Sequence, residues 1–204
     1  MKLSDLKLKQ DGIIIGGRNI VEPKAIKRYL KNLELGYKMA KSLDDLCEKP
    51  KKDEQWLIIT EKQFNAFALV LKILQDSEID ELYFAIYRIN EPTIESLISF
   101  IDAGKIKKGL FIISNFFNQT KKPEKWALRL IEYCKDKKDF DTLFVHNHAK
   151  ILCLKEKDNF YVFEGSGNMS DNARIEQYRY ENSKEVFDFH KDWMTKLWQG
   201  QKRQ

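Results

Sequence analysis

Two short stretches in the second half of the chain carry residue types suited to holding a phosphate. The first is Phe144-Val145-His146-Asn147-His148-Ala149-Lys150-Ile151. Read as one strand, it alternates its side chains between faces, so His146, His148 and Lys150 project to the same side. A titratable and a cationic group on one sheet face need a reason, and an anionic ligand is one. The second stretch is Glu164-Gly165-Ser166-Gly167-Asn168. Its small residues let backbone and hydroxyl come close to a ligand, while Ser166 and Asn168 supply short hydrogen-bond donors.

The elements that must position these residues begin at Trp56, where short apolar runs start to alternate with amphipathic segments. Residues 56–60 read as a strand, and Phe64, Phe67, Ala68, Leu71 and Leu74 follow the period of a helix. Residues 82–87 and 109–114 repeat the strand signal, with helices expected over 93–102, closed by Gly104, and over 123–135. Repeated βα units predict a largely parallel sheet covered by helices. Beyond Phe140 three strand-like runs follow, at 142–154, 160–164 and 175–181, before a last helix through Val186, Phe189, Trp193 and Leu197.

Upstream, Ile13-Ile14-Ile15 reads as a short strand ended by Gly16-Gly17, a plain turn without the GK[ST] of a phosphate loop. Between Pro23 and Leu46 the apolar residues Ile26, Tyr29, Leu30, Leu33, Tyr37 and Ala40 keep a helical period, with lysines largely on other faces. This predicts a long amphipathic helix, followed by a charged linker over 48–54. The expected fold class is therefore α/β, a mixed, largely parallel sheet flanked by helices over 56–204, preceded by a basic helical extension over 1–55.

The order His148-Ala149-Lys150, then Gly165-Ser166-Gly167-Asn168, then Glu176 resembles the signature of the phospholipase D superfamily. That signature is H-x-K followed by G-S-x-N and an acidic residue. Neither half means much alone; the two on successive strands, after βα units in the family's order, carry the resemblance over roughly residues 56–198. It does not reach the first 55. The family's Asp stands five residues after the motif lysine, where this chain has Lys155, with Asp158 in the following turn. Glu176 stands only eight positions after Asn168, and Glu181 is the alternative acid.

The resemblance implies a phospholipase D-like domain in which His148 attacks phosphorus to form a phosphohistidine. Glu176 would hold the imidazole in the tautomer that leaves its other nitrogen free to attack. Lys150, Ser166 and Asn168 would bind the non-bridging oxygens, a task that needs no metal or other cofactor when the donors are preorganised. Protonation of the leaving oxygen would fall to the histidine of a second motif copy. The chain's other histidines, His146 and His190, lie in no second H-x-K with a G-S-x-N partner. The resemblance thus implies a two-fold homodimer with His148 contributed by each subunit.

A formal charge of +5 and a pI near 8.9 favour an anionic partner such as nucleic acid, DNA or RNA. Most of that excess lies in residues 1–55, which hold 11 Lys and 2 Arg against 5 Asp and 4 Glu. No apolar run approaches the roughly 20 residues that span a bilayer, so no membrane partner is expected. The first residues alternate polar and apolar without a secretory core, and a cytoplasmic location is expected. Cys47, Cys134 and Cys153 show no CxxC spacing and read as reduced thiols.

Three decoys are set aside. His190-Lys191-Asp192 lacks the H-x-K spacing and falls in a helical pattern. His146 and His148 at i, i+2 have no evident further ligands for a metal. His146 either lines the cleft beside His148 or packs at the entrance of its strand, the second being the preferred reading. The expected function is a metal-independent phosphodiesterase acting on nucleic acid, a nuclease; the alternative is a non-catalytic nucleic-acid-binding or assembly protein on the same fold. A lipid phosphodiesterase is disfavoured, since no helix has an evident lipid role.

Overall fold

Apolar residues at every position of Leu82-Tyr83-Phe84-Ala85-Ile86 and Leu110-Phe111-Ile112-Ile113 demand strands covered on both faces. The computed structural model, which describes residues 35–40, 48–61, 65–118, 123–170 and 175–202, covers them with helices on either side. Its strands are β1 Leu35–Ala40, β2 Gln55–Glu61, β3 Glu81–Ile86, β4 Gly109–Ser114, β5 Phe140–Val145, β6 Lys150–Glu156, β7 Asn159–Gly165 and β8 Ile175–Asn182. They form one sheet in the order β1-β2-β8-β7-β6-β3-β4-β5. The helices are α1 Ala68–Asp76, α2 Glu91–Asp102, α3 Lys125–Lys135 and α4 Lys184–Lys202.

Strand alternation divides the core in two. Leu82, Phe84, Phe111, Leu152 and Phe163 meet Ile73 of α1, Leu97 of α2 and Leu130 of α3 on one face. Tyr83, Ala85, Ile112, Cys153 and Val162 meet Val186, Phe187 and Met194 of α4 on the other. The helix α2 starts where Asn90 accepts a 3.1 Å hydrogen bond from the Thr93 amide, and the chain turns after it at Gly104, whose φ of +71° favours glycine. No described helix is long and apolar enough to cross a membrane.

The sheet is mixed rather than largely parallel. Only β1–β2, β3–β4 and β4–β5 pair parallel; β2–β8, β8–β7, β7–β6 and β6–β3 are antiparallel. The reason is connection length. Helices α2 and α3 carry the chain from β3 to β4 and from β4 to β5, whereas β6 and β7 are joined by the tight turn at Lys157-Asp158, with Lys157 at φ 52°, and a hairpin can only be antiparallel.

Two further expectations change. The predicted helix between Pro23 and Leu46 is, in its described part, the strand β1, paired in parallel with β2. Gly36 weakens the helix there, and the open backbone groups of β2 offer β1 a full ladder; the remainder, with the predicted strand near Ile13, lies outside the described residues. The single strand expected over 142–154 is two strands. The chain leaves the edge at Val145 and returns beside β3 at Lys150, so residues 146–149 cross the C-terminal ends of β3 and β4.

Candidate active site

That crossing is what presents His148. Both His146 and His148 are exposed, and neither sits in a strand, so their common direction is not set by a pleat. The segment is pinned by Asn147, whose Nδ2 donates to the Ile86 carbonyl at the end of β3 (3.1 Å) and whose Oδ1 accepts from the Ala149 amide (2.8 Å). The His148 ring lies 4.7 Å from the ring of Tyr87, centre to centre, and His146 lines a cavity with both of them rather than packing at a strand entrance.

Lys150 opens β6, and its Nζ donates to the His148 carbonyl at 3.0 Å, with Nδ1 of the ring 3.4 Å away. It also stands over the face of Tyr87, 5.6 Å from the ring centre. Burial pulls its pKa below the ordinary lysine value, partly opposed by the charge of Glu176. An ammonium only donates, so the ring nitrogen facing it is an acceptor. In a neutral ring, Nε2 then carries the proton. At 3.4 Å the contact is long and weak, so it does not by itself hold the ring in that tautomer.

The second half of the site comes from the end of β7. Ser166 is tied to β8 by its amide, which donates to the Gln177 carbonyl (3.0 Å), and by its Oγ, which accepts from the Gln177 amide (3.1 Å). The same hydroxyl donates to Glu176 in a short hydrogen bond. The strands meet so closely here that a Cβ on Gly165 would lie 2.1 Å from the Gln177 carbonyl oxygen. Only glycine fits.

His148, Lys150 and Ser166 thus line one cleft of about 910 Å³, with Gly165, Gln177 and Arg179. Glu176 joins through Ser166, not through His148. Asn168 is not among the lining residues; its Oδ1 accepts from the Arg88 amide (3.1 Å), which ties the end of the second motif to the segment after β3. Lys155, five residues along β6, is about 16 Å from this end at the rise of a strand. At that distance it lies beyond contact with a phosphate held at the His148 end of the strand. Glu181 is equally remote at the far end of β8, buried and facing Arg179 at 3.2 Å. No three His, Cys, Asp or Glu side chains among the described residues converge as metal ligands.

His190 of the decoy string supports the cleft from beneath. It is buried, its Nδ1 accepts from the Trp193 indole (3.1 Å), and its Nε2 faces Glu164 at 3.3 Å. Its hydrogen bond, with the neighbouring Arg179, holds the Glu164 carboxyl below its ordinary value of 4.5 despite burial. A lowered folded value means stability that is complete above the unfolded pKa and lost as pH falls through the folded one. Glu164→Gln should therefore have a lower Tm than wild type above about pH 5, with the gap closing toward pH 3. Parallel melting curves across that range check it; a constant gap would exclude the ionic role.

No known family model matches the sequence, and no curated protein matches it either. Solved structures do. The phospholipase D family member Nuc from Salmonella typhimurium superposes with a TM-score of 0.50 at 12% identity, covering 72% of this chain and 96% of its own. The fold is phospholipase D-like. NucT from Helicobacter pylori is similar at TM-score 0.49 and 17% identity, covering 66% of this chain and 88% of its own. So is TrmBL2, an archaeal chromatin protein whose structure shows a novel mode of DNA binding, at TM-score 0.46 and 16% identity, over 71% and 52%.

On this phospholipase D-like frame, the sequence motifs left out Tyr87, Phe116 and Asn147. One signal pointed to the first two. Each follows an apolar strand run, and ligands of open α/β sheets sit outside the C-terminal strand ends.

Proposed function

We propose that the chain is a metal-independent phosphodiesterase acting on nucleic acid, a nuclease that works through a phosphohistidine on His148. The observation that carries this is the meeting of His148, Lys150 and Ser166 in one open cleft, delivered by two separate segments. The imidazole attacks phosphorus and displaces the first oxygen; water then attacks the phosphohistidine and frees the nitrogen. Lys150 and the Ser166 hydroxyl face the non-bridging oxygens, where charge builds up, and Asn168 is the third phosphate-binding residue assigned to them. Glu176, released from Ser166, accepts Nδ1–H and so leaves Nε2 as the attacking atom.

One histidine per cleft leaves the leaving oxygen without an acid, and we assign that proton to His148 of a second copy. The face next to the cleft suits such a partner. Leu57 of β2 and Ile175 of β8 are 43% and 67% exposed on the side of the sheet where α4 packs mainly against β7, β6, β3 and β4. The boundary near residue 55 belongs to this proposal as well, with β1 as the described element of the basic segment.

Cleavage of labelled single- and double-stranded DNA and RNA in excess chelator tests the activity. Wild type should cut at least one of them, and Lys150→Ala should lose on the order of 10²-fold or more in kcat. Absence of cleavage with salt-sensitive binding retained would sink the enzymatic reading. The second reading is a non-catalytic nucleic-acid-binding or assembly protein. What favours it is the Glu176 carboxylate, held by Ser166 rather than by His148 within one chain.

A further inference from the structure

A second cavity, of about 660 Å³, adjoins the cleft and shares His148 with it. The proposed hydrolysis makes no use of it. Its lining includes Tyr87, Phe116, Asn115, Asn118, His146 and Gln201. Phe116 is 58% exposed, although the rings around it are packed. Phe117 meets it edge to face at 5.2 Å and itself rests on Trp126 (5.6 Å) and Tyr87 (6.2 Å), so the exposed ring is braced from the core outward. Its backbone is fixed in a single 3-10 turn, Asn115–Phe117, capped by Ser114 Oγ accepting from the Phe116 amide (3.3 Å). Asn115, Asn118 and Gln201 bring side-chain amides with no hydrogen-bond partner among the described residues.

A flat ring held in water, with amide donors and acceptors around it, has the chemistry of a nucleobase site. Its place fixes which base. A phosphate against His148 in one cavity leaves its own nucleotide's base within reach of the other.

We infer that this cavity is a nucleobase subsite: the base adjoining the scissile phosphate stacks on Phe116, and the amides of Asn115, Asn118 and Gln201 meet its edge. The inference rests on the phosphodiesterase reading for the position of the phosphate, and it names the substrate class. A paired base must leave its stack to enter, so the site takes single strands or unpaired ends ahead of continuous duplex.

Anisotropy of labelled phosphorothioate strands with the 204-residue chain tests it in chelator. The probes are a single strand of about a dozen thymidines, the same strand with abasic residues throughout, and its duplex. Wild type should bind the base-bearing single strand on the order of tenfold more tightly than the abasic one, the effect of one base–aromatic stack. Phe116→Ala should bind both equally, and Phe116→Trp should keep the preference. Equal binding of the two strands by wild type would overturn the subsite, as would an equal loss on both strands in Phe116→Ala. The cleavage assay separates the two proposals. Base-dependent binding without cleavage leaves the subsite standing and removes the phosphohistidine, whereas cleavage without base dependence removes the subsite alone.

Discussion

His148→Ala is expected to lower kcat for nucleic-acid cleavage by on the order of 10⁴-fold or more while leaving Tm within about 2 °C of wild type. The two halves of this expectation come from one geometry. The imidazole is exposed, on a crossing segment whose path is fixed by Asn147 and not by His148 itself. Among the described residues its ring meets only Tyr87 and the Lys150 ammonium. Truncation therefore opens no cavity in the core, and a loss of activity cannot be charged to unfolding. Lys150 stays in place through its strand, so binding of the strand should weaken far less than turnover.

The same variant decides whether the site is shared. Where both histidines of a dimer are needed, wild type exchanged with an equal amount of His148→Ala keeps about one quarter of its specific activity, since only the all-wild-type pairs cut. A site complete in one chain keeps about half. A result near half would remove the second subunit from the mechanism, and with it the role of the exposed Leu57 and Ile175 as its contact face.

What the sequence could reveal of this site depended on which rule governed each residue. Spacing within a tight turn is local, so His148-Ala149-Lys150 and Gly165-Ser166-Gly167-Asn168 were legible as ligand-holding stretches. Hydrophobic period is also local, and it located β2 to β4 and all four described helices. The route of residues 146–149 is not local. Alternation of His146, His148 and Lys150 reads as a strand, but the edge position of β5 and the place of β6 beside β3 force the chain to cross instead. Nothing between Phe144 and Ile151 encodes that jump; it follows from β3 and β4 having been inserted between the two strands. The N-terminal misreading has a similar origin. A helical period around Leu35–Ala40 lost to the edge of β2, a partner that enters only later in the chain. The aromatic cluster escaped for a third reason. Phe116 looks like any core phenylalanine until the turn at Asn115–Phe117 sets it outward.

Gly165 should be the least replaceable of these residues for stability. Gly165→Ala places a Cβ 2.1 Å from the Gln177 carbonyl oxygen, 2.9 Å from Tyr178 Cα and 2.7 Å from Tyr178 Cδ1. Two of these three atoms are backbone of the paired strand, and Tyr178 is itself buried against Phe163, their rings stacked at 4.5 Å. No rotamer change relieves the overlap; β7 and β8 must separate. Forced separation in a packed sheet costs about 3 kcal/mol, which for a chain of this size lowers Tm by roughly 6–12 °C. The hydrogen bonds between Ser166 and Gln177 go with it, so the cleft should lose turnover even below the new Tm. Gly200→Ala is the contrasting case. Gly200 lies in the last turn of α4 with nothing within 4 Å of an added Cβ, and alanine there should raise stability through helix propensity alone, by up to about 0.5 kcal/mol. Thermal melts of the two variants beside wild type would show opposite shifts. A Gly165→Ala protein that melts with wild type would mean that β7 and β8 do not approach as described, and the position assigned to Ser166 against Glu176 would fall with it.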